Sequence, residues 1–115
     1  MSTNNLLDIL DNLEKILVKY SIDDWAQTIE WHKERLKAAG TSGSVKWMQD
    51  ELETIQGLYG GMGSFNDINI TTEDYRGARP EDVTDINNIF QGLKGQLYRE
   101  LENELRTLKR HQPTK

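Results

Sequence analysis

Apolar residues open the chain at steps of four, three, four and three: Leu6, Leu10, Leu13, Leu17 and Tyr20. One apolar residue per turn predicts an amphipathic helix over about residues 4–20. Ser21 then offers an N-cap, with Asp24 three positions on as an acid-bearing form of the capping box. A second helix over about 22–38 follows, with Trp25, Ile29, His32 and Leu36 down one side and Trp31 beside them. It runs into AAGTSGS, which reads as a short Gly/Ser linker. Ser44 is placed to cap a third helix, about 45–59, on which Val45, Met48, Leu52, Ile55 and Tyr59 keep the spacing.

Gly60 and Gly61 are expected to end that helix, because glycine takes left-handed backbone angles at little cost. Residues 60–80 show no helical or strand period, and a connection of that length is expected to be ordered or functional. Pro80 suits the first turn of a fourth helix, about 81–110, with Thr84 as a later cap. Ile86, Phe90, Leu93, Leu97, Leu101, Leu105 and Leu108 form its apolar stripe, the longest in the protein. Gly92 and Gly95 interrupt it, and small residues there predict close approach of a neighbouring helix. The pattern as a whole predicts an all-α single domain over 1–115. It is a small antiparallel four-helix bundle with one long ordered loop between the third and fourth helices.

Composition narrows the chemistry. Without cysteine there is no disulfide framework, thiolate metal site or cysteine nucleophile, which fits a reducing compartment. The first residues lack a basic segment followed by an apolar run, and no apolar stretch approaches the ~18 residues of a membrane span. The expectation is a soluble cytoplasmic protein with no membrane partner. Net charge is -5, and it is unevenly spread. Between Asp50 and Asp85 nine acids face two bases, whereas the last ten residues hold four bases and no acid. Phosphate contacts need a basic face, so the middle of the chain does not suit nucleic acid and does suit a basic protein.

Catalytic groups are sparse. His32 has Glu30 and Glu34 two residues away, off its helical face, and His111 lies in the tail. His32 therefore reads as a half-buried helix residue. No pair of histidines or carboxylates shows metal-ligand spacing, and no cofactor is expected. Trp25, Trp31 and Trp47 read as core filling for a small bundle. The glycines of GGMGS close a helix and are not followed by lysine, unlike phosphate-binding loops, which open a helix after a strand. The Asn-Ile-Thr at 69–71 is a chance glycosylation match.

The stretch LYGGMGSFNDINI has a structural reading of its own. Gly60, Gly61 and Gly63 supply unusual backbone angles, and Asn66 and Asp67 bond to backbone groups. It also resembles a signature of small, mainly helical bacterial domains. In these an aromatic residue, Gly-Gly-Met-Gly-Ser, a hydrophobic residue and Asn-Asp follow a helix. Eight consecutive residues fit, Gly60 to Asp67. Many such domains are similar in size and charge to immunity proteins of bacterial toxin systems, including contact-dependent growth inhibition.

The resemblance implies a non-enzymatic inhibitor of a cognate toxin, and the charge pattern agrees, since a basic nuclease-type toxin needs an acidic cover. The expected binding residues are Glu73, Asp74, Glu81, Asp82 and Asp85, with Phe65 and Tyr75 as aromatic anchors. A competing placement puts the binding face on residues 1–58, whose net charge is -4. An adaptor that docks a partner helix in the bundle groove is the alternative function, and an enzyme ranks third.

Overall fold

In the computed structural model, residues 4–20, 22–59 and 80–111 are described, the side chains of 80–82, 110 and 111 excepted. The chain forms a helical bundle: α1 (Asn4–Lys19), α2 (Asp23–Ser42), α3 (Val45–Gln56) and α4 (Pro80–His111). A single 3-10 turn, Gly57–Tyr59, extends α3. No strand occurs among the described residues.

Each helix buries most of the stripe its spacing defines, with Trp25, Tyr59, Ile86 and Leu93 only partly buried. Leu6, Leu10, Leu13, Leu17 and Tyr20 are buried from the α1 segment, joined by Ile9. Ile29 and Leu36 follow from α2, Met48, Leu52 and Ile55 from α3, and Phe90, Leu97, Leu101, Leu105 and Leu108 from α4. Helix α1 packs on α2 and α4, and α3 packs on the same two, so a single core lies between all four. Fully burying one such side chain contributes roughly 1.5–3 kcal/mol, which makes the stripes the main source of stability. Polar ties flank the core: Lys33 of α2 bonds Glu14 and Asp11 of α1. The Glu14 bond holds the Lys33 ammonium above its ordinary pKa, and Lys15 followed by Lys33 holds Asp11 below its own.

Several expected details are corrected. Helix α2 does not stop at about residue 38 but continues to Ser42, through the glycine of AAGTSGS. Ala39 is buried there, and the hydroxyls of Thr41 and Ser42 donate to the carbonyls of Lys37 and Ala39. These bonds occupy the last turn until Gly43, at φ 73°, reverses the chain. At the other end the N-cap position is Ile22, which has no capping side chain, and Ser21 lies outside the described residues. Ser44 does cap α3, its Oγ accepting the Trp47 amide at 3.1 Å. Helix α3 ends earlier than 59 and tightens into the 3-10 turn.

Helix α4 starts at Pro80, which leaves Thr84 inside the helix rather than at a cap. Among the described residues, Gly92 meets no neighbour within 4 Å of a notional Cβ, and Gly95 meets only the Arg99 guanidinium of its own helix at 3.5 Å. Neither glycine therefore marks a close helix–helix approach. Val45, at the first position of α3, is 41% exposed and sits off the core.

Candidate functional site

The largest departure from sequence expectation concerns the tryptophans. Trp31 is 54% exposed and Trp47 40%, while Trp25 is half-buried against the core. Trp31 and Arg35 stand one turn apart on α2, and Trp47 and Glu51 one turn apart on α3. The Arg35 guanidinium lies 4.7 Å from the Trp31 ring centroid. It also donates from Nε at 2.9 Å, and from Nη2, to Glu51 Oε1. A cation over an indole face is attracted by the ring quadrupole, and two N–H bonds from one planar fork fix its plane. The exposed indole is thus held by an arginine that is itself held by α3.

The carboxylate at the base of this arrangement is almost fully enclosed, Glu51 being 2% exposed, and His32 beside it is 3% exposed. His32 Nδ1 and Glu51 Oε2 are buried with no hydrogen-bond partner among the described residues. Burial holds His32 below the ordinary histidine pKa; Glu51 pulls it back up and Arg35 pushes it down. Its ring meets the Trp31 indole edge-on, with centroids 4.9 Å apart. His32 was expected to be half-buried and without a partner; the structure encloses it and places a carboxylate in its electrostatic neighbourhood.

Asp24, Gln27, Thr28, Trp31 and His32 line an open depression of about 360 Å³ on α2. The Thr28 hydroxyl donates to the Asp24 carbonyl at 3.0 Å. Acids elsewhere on these helices carry partners: Lys37 on Glu34, Lys46 on Asp50, Arg35 on Glu51. No base among the described residues pairs with the side chains of Asp23, Asp24 or Glu30. A larger depression, about 630 Å³, lies around the α2–α3 turn with Leu7, Val45 and Met48 in its wall.

A second cluster joins α3 to α4. The Tyr59 hydroxyl donates to the Lys94 carbonyl at 2.6 Å, and its ring meets Tyr98 edge-on at 5.1 Å. Burial, with Tyr98 adding to it, pushes the Tyr59 phenol well above its ordinary pKa. Lys94 is 1% exposed, with its ammonium 4.6 Å from the Phe90 ring centroid. Sequence reading passed over both Lys94 and Glu51. A signal was there in each case, since Glu51 falls one turn from Met48 and Ile55, and Lys94 one turn from Phe90 and Leu97, on otherwise apolar faces.

Of the binding residues expected from sequence, Asp85 is exposed on α4. Glu81 and Asp82 belong to the first turn of α4, their side chains outside the described residues. Phe65, Glu73, Asp74 and Tyr75 lie outside the described residues, as do the loop residues Gly60, Gly61, Gly63, Asn66 and Asp67. No group of three His, Asp or Glu side chains among the described residues is arranged to hold a metal ion. No described helix is long and apolar enough to cross a membrane.

Residues 19–77 match a family described as a domain of unknown function, DUF6966, and the chain belongs to that family. The matched segment takes in all of α2 and α3, hence Trp31, His32, Arg35, Trp47 and Glu51, and extends into the residues that precede α4. No curated protein and no solved structure matches the chain.

Proposed function

We propose that this protein is a non-enzymatic binding module of the cytoplasm that acts as an immunity protein, neutralising a basic bacterial toxin by covering its surface. The observation that carries the reading is the exposed indole of Trp31, held by Arg35 and Glu51, on the helix whose acids Asp23, Asp24 and Glu30 pair with no base among the described residues. Interfaces draw most of their affinity from a few aromatic and arginine anchors held in place before binding. Surrounding charge speeds encounter with a partner of opposite sign. The resemblance of Gly60–Asp67 to toxin-immunity domains and the excess of acids between Asp50 and Asp85 support the same partner class.

The antiparallel order of the bundle belongs to this reading. Arg35 and Glu51 lie equally far before and after Gly43 in the chain and touch, which is what a hairpin of α2 and α3 requires. The expected loop between Tyr59 and Pro80, with Phe65, Glu73, Asp74 and Tyr75, lies outside the described residues.

The test is co-expression with the product of the adjacent gene, the expected toxin, with binding and cell protection measured for two variants. Reversing Glu73, Asp74, Glu81 and Asp82 to lysine slows association and weakens its salt dependence if that segment steers the toxin. Trp31→Ala speeds dissociation if α2 supplies the anchor. Full protection and wild-type rates in both variants remove the proposal, and failure to bind the adjacent toxin turns the assignment towards an adaptor.

A further inference from the structure

The depression on α2 is lined by Asp24, Gln27, Thr28, Trp31 and His32, with no Lys or Arg among them. Asp24 contributes a carboxylate without a basic partner among the described residues. Thr28 has given its hydroxyl proton to the Asp24 carbonyl, so only its lone pairs remain to face a ligand. Gln27 offers an amide oxygen, and the exposed Trp31 ring offers a π-face. His32 forms part of the wall at 3% exposure, its Nδ1 buried with no partner among the described residues. Arg35, the cation on the Trp31 ring, is already paired with Glu51.

We infer that this depression is a receptor for a guanidinium group, filled by an arginine side chain of the partner protein, with Asp24 taking its charge and Trp31 its planar face. The inference rests on the basic partner proposed above and names the group that partner inserts. A flat cation is favoured over an ammonium because guanidinium is weakly hydrated, stacks on indole and forks towards a carboxylate. A volume of about 360 Å³, open to solvent, admits the end of one such side chain and excludes a folded element. The same indole already accepts a guanidinium within the protein, from Arg35, which demonstrates its competence for that contact.

The probe is Nα-acetyl-arginine amide, titrated into the full chain labelled with nitrogen-15, with the tryptophan indole N–H signals followed by NMR. Nα-acetyl-citrulline amide, of equal shape and no charge, is the control, and the lysine analogue tests planarity. The expected result is a saturable shift of the Trp31 indole signal with the arginine probe, weaker with lysine and absent with citrulline. Asp24→Asn, at an exposed position that leaves the core intact, weakens binding about three- to five-fold, the scale of one exposed ion pair. Trp31→Leu removes the saturable shift of the His32 side-chain signals. Equal shifts with citrulline, or shifts confined to other acids with Trp31 unmoved, overturn the inference. Because no toxin is present, that failure is separate from loss of toxin protection, which bears only on the function proposed above.

Discussion

Arg35 on α2 donates two hydrogen bonds to one carboxylate oxygen of Glu51 on α3, and the two residues differ sharply in exposure. The arginine side chain is 44% exposed and the glutamate side chain 3%. Their loss is therefore asymmetric. Arg35→Ala strands a buried carboxylate, whereas Glu51→Gln leaves an arginine free to turn towards water. Urea denaturation is expected to give a lower midpoint for Arg35→Ala than for Glu51→Gln. The reverse order would mean that Glu51 draws its stability from elsewhere.

His32 makes stability depend on pH. Burial depresses its folded-state pKa below the ordinary 6.5, so the unfolded chain binds the proton more readily. The contribution of neutral His32 is present above pH 6.5 and declines as pH falls from there towards the folded value. Glu51 opposes the depression and Arg35 reinforces it. Thermal melting across pH 5–7 is expected to show a slope that flattens in His32→Gln, and an unchanged slope would assign the titration to other groups.

Gly92 and Gly43 make opposite demands. Gly92 sits in α4 with open space where a Cβ would stand, so Gly92→Ala is expected to stabilise by about 0.5–1 kcal/mol. Gly43 holds φ 73° with equal room around it, so Gly43→Ala is strained by backbone alone and destabilises by about 1 kcal/mol. Calorimetry on the two variants separates helix propensity from left-handed strain. A destabilised Gly92→Ala would reveal a neighbour that presses on that face.

Tyr59 ties the 3-10 turn to α4 through its hydroxyl. Removing that group in Tyr59→Phe preserves the ring contact with Tyr98 and leaves the Lys94 carbonyl with one bond fewer. The expected loss is about 1 kcal/mol by denaturant unfolding. In the wild type, ultraviolet titration should show a tyrosine that ionises well above the ordinary range, as burial of the phenol requires. A difference within error would place the anchoring in the ring alone.

Much of the architecture was legible along the chain. Leu6, Leu10, Leu13, Leu17 and Tyr20, and Phe90, Leu97, Leu101, Leu105 and Leu108, are buried where their spacing puts them, Ile86 and Leu93 are only partly so, and Ser44 caps the helix it precedes. These features are local: side chains three or four apart share a helical face, and a hydroxyl three residues before an amide reaches it. The expected end of α2, at about residue 38, falls short of Ser42 because local propensity favours a break at Gly40. Burial of Ala39 and the side-chain bonds of Thr41 and Ser42 keep the helix going to Gly43.

The candidate site was not legible. Trp31 lies at the edge of the α2 stripe, where periodicity gives a direction but not how far a neighbouring helix extends to cover it. Glu51 and Arg35 are separated by sixteen residues, so their bond exists only because the Gly43 turn folds α3 back onto α2. The sequence by itself determined four amphipathic helices, a core of leucines and isoleucines, and an excess of acids. Tertiary structure alone decided which charges pair between helices, which tryptophans face water, and that His32 loses its solvent. Each of those depends on distances between segments, and no spacing along one helix encodes them.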